Sequence, residues 1–267
     1  MVRLDNNRDR RRGYPLGAIT FDVTHTLIHS PRLVEIYHTV LERHGIHTRP
    51  VDLRREIPWV WKEFECRDLG AAPLGHQDRF TAHPKGPRGW WQDFLVRLCQ
   101  RLGVDTPTRF AGAELFDRFA HRDAWEVYDD VRPCLTELRD SNLRLGVISN
   151  WDDRLPGLLD ELDLLDFFDT VVFSSGLGLE KPNPGIFDHC LRELGVPAHR
   201  ALHVGDHAIH DIEGAHAAGM EALRIDRRGH HPNLGDLLGP LFRPDPPSET
   251  SIAQPKLCVD GGRRVRH

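Results

Sequence analysis

The sequence predicts an α/β fold, a Rossmann-like parallel-sheet core with an inserted all-helical cap domain. Three observations lead there. Short apolar runs at 17–22, 143–148, 170–173, 200–204 and 221–225 stand out, and the later ones alternate with helical patterns. Between the first run and the second lies a long block with helical patterns only. Three of the runs end on side chains able to do chemistry: Asp22, the pair Ser149 and Asn150, and Asp206.

Taken in order, residues 17–22 (GAITFD) read as a short buried strand ending at Asp22. Leu33, Ile36, Tyr37, Val40 and Leu41 recur at helical spacing within 31–44, and Gly45 suits the end of that helix. Segments 50–66, 89–102 and 108–119 continue the helical block. After Val131 the pattern becomes an alternation. Pro133 can start a helix ending near Ser141, and LRLGVI (143–148) reads as a strand. Helices near 153–162, 184–194 and 208–218 then separate strands at 170–173, 200–204 and 221–225. Such alternation implies a parallel sheet covered on both faces. The expected organisation is a core of 17–30 and 126–242, a helical cap over 31–125, a basic tail over 1–16 and a proline-bearing tail over 243–267. Both tails have the composition of disordered, solubilising segments.

Bulk properties narrow the function. A net charge of -5 and a pI near 6.4 argue against nucleic acid as a partner. Cys66, Cys99, Cys134, Cys190 and Cys258 are odd in number, far apart and without a CxxC pair. That spacing predicts reduced thiols in a cytoplasmic setting and excludes zinc ribbons and fingers. No apolar run approaches the roughly 20 residues of a membrane helix, and the basic start at Arg8 to Arg12 leads into no secretory signal. Nothing in the sequence indicates an oligomeric state.

Open parallel sheets bind ligands beyond the carboxyl ends of their strands, so the fold would gather Asp22, Ser149, Asn150 and Asp206 along one rim. Asp211 follows in GDHAIHD. Three carboxylates near one point repel each other, and a hard divalent cation such as Mg²⁺ relieves that. Taken alone, Asp206 and Asp211 also suit a helix N-terminus. Lys181, in the stiff segment EKPNP, can balance a phosphate; alone, it reads as a surface lysine in a turn. Ser149 and Asn150 can donate to a phosphoryl oxygen or cap the next helix. His203, His207 and His210 invite a zinc reading, but one packed and two exposed histidines are the plainer expectation. Trp59, Trp61, Trp90, Trp91 and Trp125 fall in the insert, where they line a pocket or fill the core between cap helices.

The ordered set DVTHT (22–26), VISN (147–150), EKPNP (180–184) and GDHAIHD with GAHAAGM (205–220) resembles the four motifs of the haloacid dehalogenase superfamily. The run ISNWDDRL is similar to its phosphatase-like branch. The resemblance implies a Mg²⁺-dependent phosphatase that forms an aspartyl-phosphate from a small phosphorylated metabolite. It implies Asp22 as nucleophile and metal ligand, with the Thr24 backbone carbonyl, Asp206 and Asp211 completing or orienting the metal shell. It places Thr26, Ser149 and Asn150 at the phosphoryl group and Lys181 as the group that neutralises it.

One departure matters. Many phosphatases of this superfamily carry an acid/base aspartate two residues after the nucleophile, where this chain has Thr24. Threonine cannot exchange protons near neutral pH, and such help is typically worth about 10² to 10⁴ in rate. His25 or a cap residue would have to supply the proton. The alternative is a catalytically weak member that binds a phosphorylated ligand or a protein partner. A 2-haloacid dehalogenase is disfavoured, because those enzymes need no metal, usually lack the GD aspartate, and usually carry Tyr where Thr24 stands.

Overall fold

The computed structural model describes residues 15–69, 78–104 and 109–242. The chain forms a five-stranded parallel sheet in the order β5-β4-β1-β6-β7. The strands are β1 (Ala18–Phe21), β4 (Arg144–Ser149), β5 (Thr170–Phe173), β6 (Ala201–Gly205) and β7 (Glu221–Arg224). β1 and β6 are buried along their whole length, as expected of strands covered on both faces. Alternate residues feed two cores. Ile19, Phe21, Leu145, Val147, Leu202 and Val204 meet the helices Val131–Asp140, Leu155–Glu161 and Leu234–Phe242. On the other face Ala18, Ile148, Val172 and Ala201 meet the helix Pro184–Leu194.

The α/β architecture with a helical insertion is thus as the sequence predicts. The helix Val131–Asp140 begins two residues before Pro133, which is tolerated because first-turn N–H groups lack helical partners anyway. The segment expected as a regular helix over 208–218 is instead a π-helical turn, Ala208–Glu213, followed by a short α-helix, Gly214–Ala217.

The insertion comprises helices Leu33–Arg43, Pro50–Leu69, Arg79–Ala82, Gly86–Leu102 and Arg109–Arg118. Its separate core includes Tyr37, Leu41, Leu53, Phe94, Leu98 and Leu115. Gly45, with φ +76°, ends the first helix, and the Ile46 amide then reaches back to the Leu41 carbonyl at 2.9 Å. Trp61, Trp90 and Trp91 cluster with Phe64 and Phe94, so these tryptophans are core, whereas Trp59 is exposed. The chain enters and leaves the insertion through an antiparallel pair, β2 (Ile28–His29) with β3 (Glu126–Val127).

Cys99, Cys134 and Cys190 are free and buried. Among the described residues no helix is long and apolar enough to cross a membrane. The two tails, apart from Pro15 and Leu16, and Cys258 lie outside the described residues.

Candidate active site

β1 lies between β4 and β6, where the strand order reverses. Phe21 is in register with Val147 and with Val204. One residue further, Asp22 leaves β1, and its amide still donates to the Val204 carbonyl at 2.9 Å. Ser149 closes β4 and Asp206 follows Gly205 at the end of β6. Sheet register alone therefore brings these groups to one rim. Gly205 is required there: a Cβ on it would lie 2.2 Å from Asp211 Cγ.

The rim is densely bonded. Ser149 Oγ donates to Asp22 Oδ1 at 2.8 Å. Lys181 Nζ donates to the same oxygen at 2.6 Å and to Asp211 Oδ1 at 2.5 Å. Lys181 is only 2% exposed, so it is no surface lysine. Burial alone would lower its pKa, but the charges of Asp211 and Asp22 outweigh that and raise it. Asn150 clasps the lysine's main chain: the Lys181 amide donates to Asn150 Oδ1 at 2.7 Å and Asn150 Nδ2 donates to the Lys181 carbonyl at 3.0 Å. Neither Ser149 nor Asn150 caps the following helix, which starts at Leu155 behind Arg154.

Asp211 is held from three sides. Besides Lys181 it accepts from the His207 amide at 2.9 Å, and His203 Nε2 lies 3.3 Å from its Oδ1. Burial raises its pKa, but Lys181 and His203 more than offset this and lower it. His203 is fully buried, with Thr20 Oγ1 2.9 Å from Nδ1. An ionised Asp211 only accepts, so His203 donates through Nε2 and receives the Thr20 hydroxyl at Nδ1. Asp206 differs: burial first, then Asp22 and Asp211, push its carboxyl up to about 7. Asp22, Asp206 and Asp211 each offer an oxygen, all within 4.8 Å of one another. That is the one group of potential metal ligands among the described residues, and it contains no histidine. His207 and His210 are half-buried rather than exposed and stack at 4.1 Å.

The loop after Asp22 is tightly wound. The Val23 carbonyl accepts from the amides of Thr26, Leu27 and Ile28 at 3.2, 2.8 and 3.1 Å. His25 adopts φ +62° within it. Thr26 Oγ1 is buried without a partner among the described residues, a cost of about 1–3 kcal/mol unless something else satisfies it. Thr24 Oγ1 accepts the indole N–H of Trp151 at 3.0 Å.

Sequence reasoning missed the residues that join the insertion to the rim. Arg79 Nε lies 2.8 Å from Glu180 Oε2, both side chains buried, one residue before Lys181. Trp91 Nε1 and the Arg154 guanidinium both donate to Asp152, while Arg154 lies over the Phe116 ring at 3.6 Å. The contacts of Arg79 with Glu180, of Trp91 with Asp152 and of Arg154 with Phe116 leave no local pattern, since the partners are distant in sequence.

Comparison with known proteins places this geometry. A family model described as haloacid dehalogenase-like hydrolase matches residues 16–219. The human haloacid dehalogenase-like hydrolase domain-containing protein 3 is 32% identical over 213 residues, 79% of this chain and 82% of that protein. A glyceraldehyde 3-phosphate phosphatase of Methanopyrus kandleri is 32% identical over 262 residues, 92% of this chain and 100% of that protein. The magnesium-bound HAD-hydrolase YfnB of Bacillus subtilis shares the fold, with a TM-score of 0.67 at 15% identity over 85% of this chain and 99% of that one. Solved chains of this fold include both a phosphatase and a 2-haloacid dehalogenase. The fold alone therefore does not choose between phosphorus and carbon as the atom attacked.

Proposed function

Since the chain belongs to the haloacid dehalogenase-like hydrolase family, we propose that it is a Mg²⁺-dependent phosphatase that hydrolyses a small phosphorylated metabolite through an aspartyl-phosphate on Asp22. The observation that carries this is the convergence of Asp22, Asp206 and Asp211 within 4.8 Å, with the Lys181 ammonium between Asp22 and Asp211. Carbon displacement on a haloacid needs no such carboxylate cluster.

The donor set fits magnesium: it is all oxygen, and burial together with the neighbouring charges of Asp22 and Asp211 disfavours an ionised Asp206, which a cation would relieve. Asp22, the Thr24 carbonyl, Asp206 and Asp211 would hold the ion. No hydrogen bond among the described residues occupies the Thr24 carbonyl. When bound, Mg²⁺ would neutralise charge on the phosphoryl oxygens.

The remaining roles fall to the chain. Both hydrogen bonds to the Asp22 carboxylate land on Oδ1, which orients the group for attack. Lys181 balances charge on Asp22 and on the transferred phosphoryl group. The Thr26 hydroxyl gains its missing partner in a phosphoryl oxygen. Asn150 acts through the lysine, whose backbone it fixes. The phosphatase named among the relatives acts on glyceraldehyde 3-phosphate, which is consistent with a small substrate under a helical cap.

Turnover of an aryl phosphate, with Mg²⁺ and with chelator, tests this function. The expected result is metal-dependent turnover that Asp22→Asn abolishes; a pure Asp22→Asn sample as active as the unaltered protein refutes it. Thr24 supports a second reading, a weak catalyst that binds a phosphorylated ligand. In that case the ligand stabilises the protein without product appearing.

A further inference from the structure

We propose that Arg227 is a positioning residue: its guanidinium holds the Thr26 carbonyl, and with it the loop that presents the Thr26 hydroxyl, against the strands leading into and out of the helical insertion. This rests on the phosphatase reading above.

Arg227 follows β7, far in sequence from the residues it holds, yet its side chain is only 6% exposed. Nε and Nη2 both donate to the Thr26 carbonyl, at 3.2 and 2.5 Å. Nη1 donates to both oxygens of Asp130 at 2.8 Å and to the Pro232 carbonyl at 2.7 Å. The guanidinium carbon lies 4.0 Å from the centroid of Tyr128. Tyr128 in turn stacks on His29 at 4.4 Å and 17°, and its amide donates to the Leu27 carbonyl at 3.1 Å. His29 belongs to β2, and Tyr128 directly follows β3. One cation thus ties the loop after Asp22, both crossings into the insertion and the C-terminal segment. Asp130 extends the tie by accepting the Leu234 amide at 2.6 Å, where the last helix begins.

The planar fork is what makes this possible. A lysine keeps the charge but lacks the planar fork that serves the Thr26 carbonyl and Asp130 from separate nitrogens. A small misplacement of a group that grips the reacting phosphoryl can cost about 10² in rate. A purely structural arginine would show its loss in stability instead.

The test compares Arg227→Lys with Asp130→Asn, which keeps one acceptor oxygen at that position and loses the charge and the second acceptor. Two quantities are read on folded protein: kcat and KM for an aryl phosphate with Mg²⁺, and hydrogen exchange at the amides of residues 26–28. Arg227→Lys is expected to lower kcat by about tenfold or more with KM little changed, and to speed exchange at 26–28. Asp130→Asn is expected to lower the melting temperature while keeping kcat and the protection of 26–28. Wild-type kcat or wild-type exchange in Arg227→Lys overturns the proposal. So does an Asp130→Asn variant that loosens 26–28 or loses kcat in step with its stability. If the unaltered protein turns over no phosphate ester, the phosphatase reading fails, whereas unchanged exchange in Arg227→Lys sinks the positioning role by itself.

Discussion

Trp151 donates its indole N–H to Thr24 Oγ1 at 3.0 Å. The position where an acid/base aspartate would stand is thus filled by a hydroxyl anchored to the loop after β4. If no other group protonates the leaving oxygen in place of that carboxyl, activity should depend steeply on the leaving group. Thr24→Asp is expected to raise kcat/KM for alkyl phosphates by about 10², with little change for aryl phosphates. Steady-state kinetics on both substrate types checks this; equal gains on both, or none, would show that the proton already comes from elsewhere.

Lys181 separates two buried acids. Lys181→Met leaves Asp22 and Asp211 facing each other, and removing one partner of a buried ion pair typically costs about 3–5 kcal/mol. Denaturant unfolding in chelator should show a loss of that order, and saturating Mg²⁺ should recover part of it. A stability equal to the unaltered protein would mean that the acids are not held as a charged set.

Arg79 and Glu180 form a buried ion pair between insertion and core. Arg79→Met should destabilise the protein by about 3–5 kcal/mol because Glu180 is left buried and charged. Arg79→Met with Glu180→Met together should cost much less. A double-mutant cycle in unfolding free energy settles the coupling; additive losses would remove the pair from the account.

Asp206 gives the site a pH dependence of known sign. Its carboxyl titrates at about 7 in the folded protein against an ordinary 3.8. Between those values unfolding releases a proton, so the group's stabilising contribution is present at low pH and is lost as pH rises through 7. Burial lowers the pKa values of His203 and His210, so their contributions run the opposite way, lost as pH falls below about 6.5. The comparison must therefore be with Asp206→Asn. In metal-free samples the stability of that variant relative to the unaltered protein should grow from pH 5 to pH 8, and Mg²⁺ at pH 8 should reverse the order. A gap independent of pH would place Asp206 in solvent, not in a shared acidic site.

The sheet and the rim were legible because each leaves a local signal. Buried parallel strands are apolar runs, and Asp22, Ser149 and Asp206 stand where those runs end. Lys181 was legible only through its motif, since nothing local distinguishes a buried lysine from a surface one. The β2–β3 pair escaped notice because two-residue strands carry no periodicity and their partners are remote. The π-turn at Ala208–Glu213 read as an ordinary helix, since the Asp211 bond to the His207 amide is a matter of geometry. Arg227, Arg79 and Trp151 act through distant partners, and one sequence gives no trace of that.

Chemical trapping at residue 22 tests the central claim most directly. The protein is mixed with an aryl phosphate and Mg²⁺, reduced with borohydride, and its peptides are examined by mass spectrometry. An aspartyl-phosphate at Asp22 predicts homoserine in the peptide carrying that position, only when substrate is present. Reduction at another carboxylate, or an unmodified Asp22 during steady turnover, would contradict it.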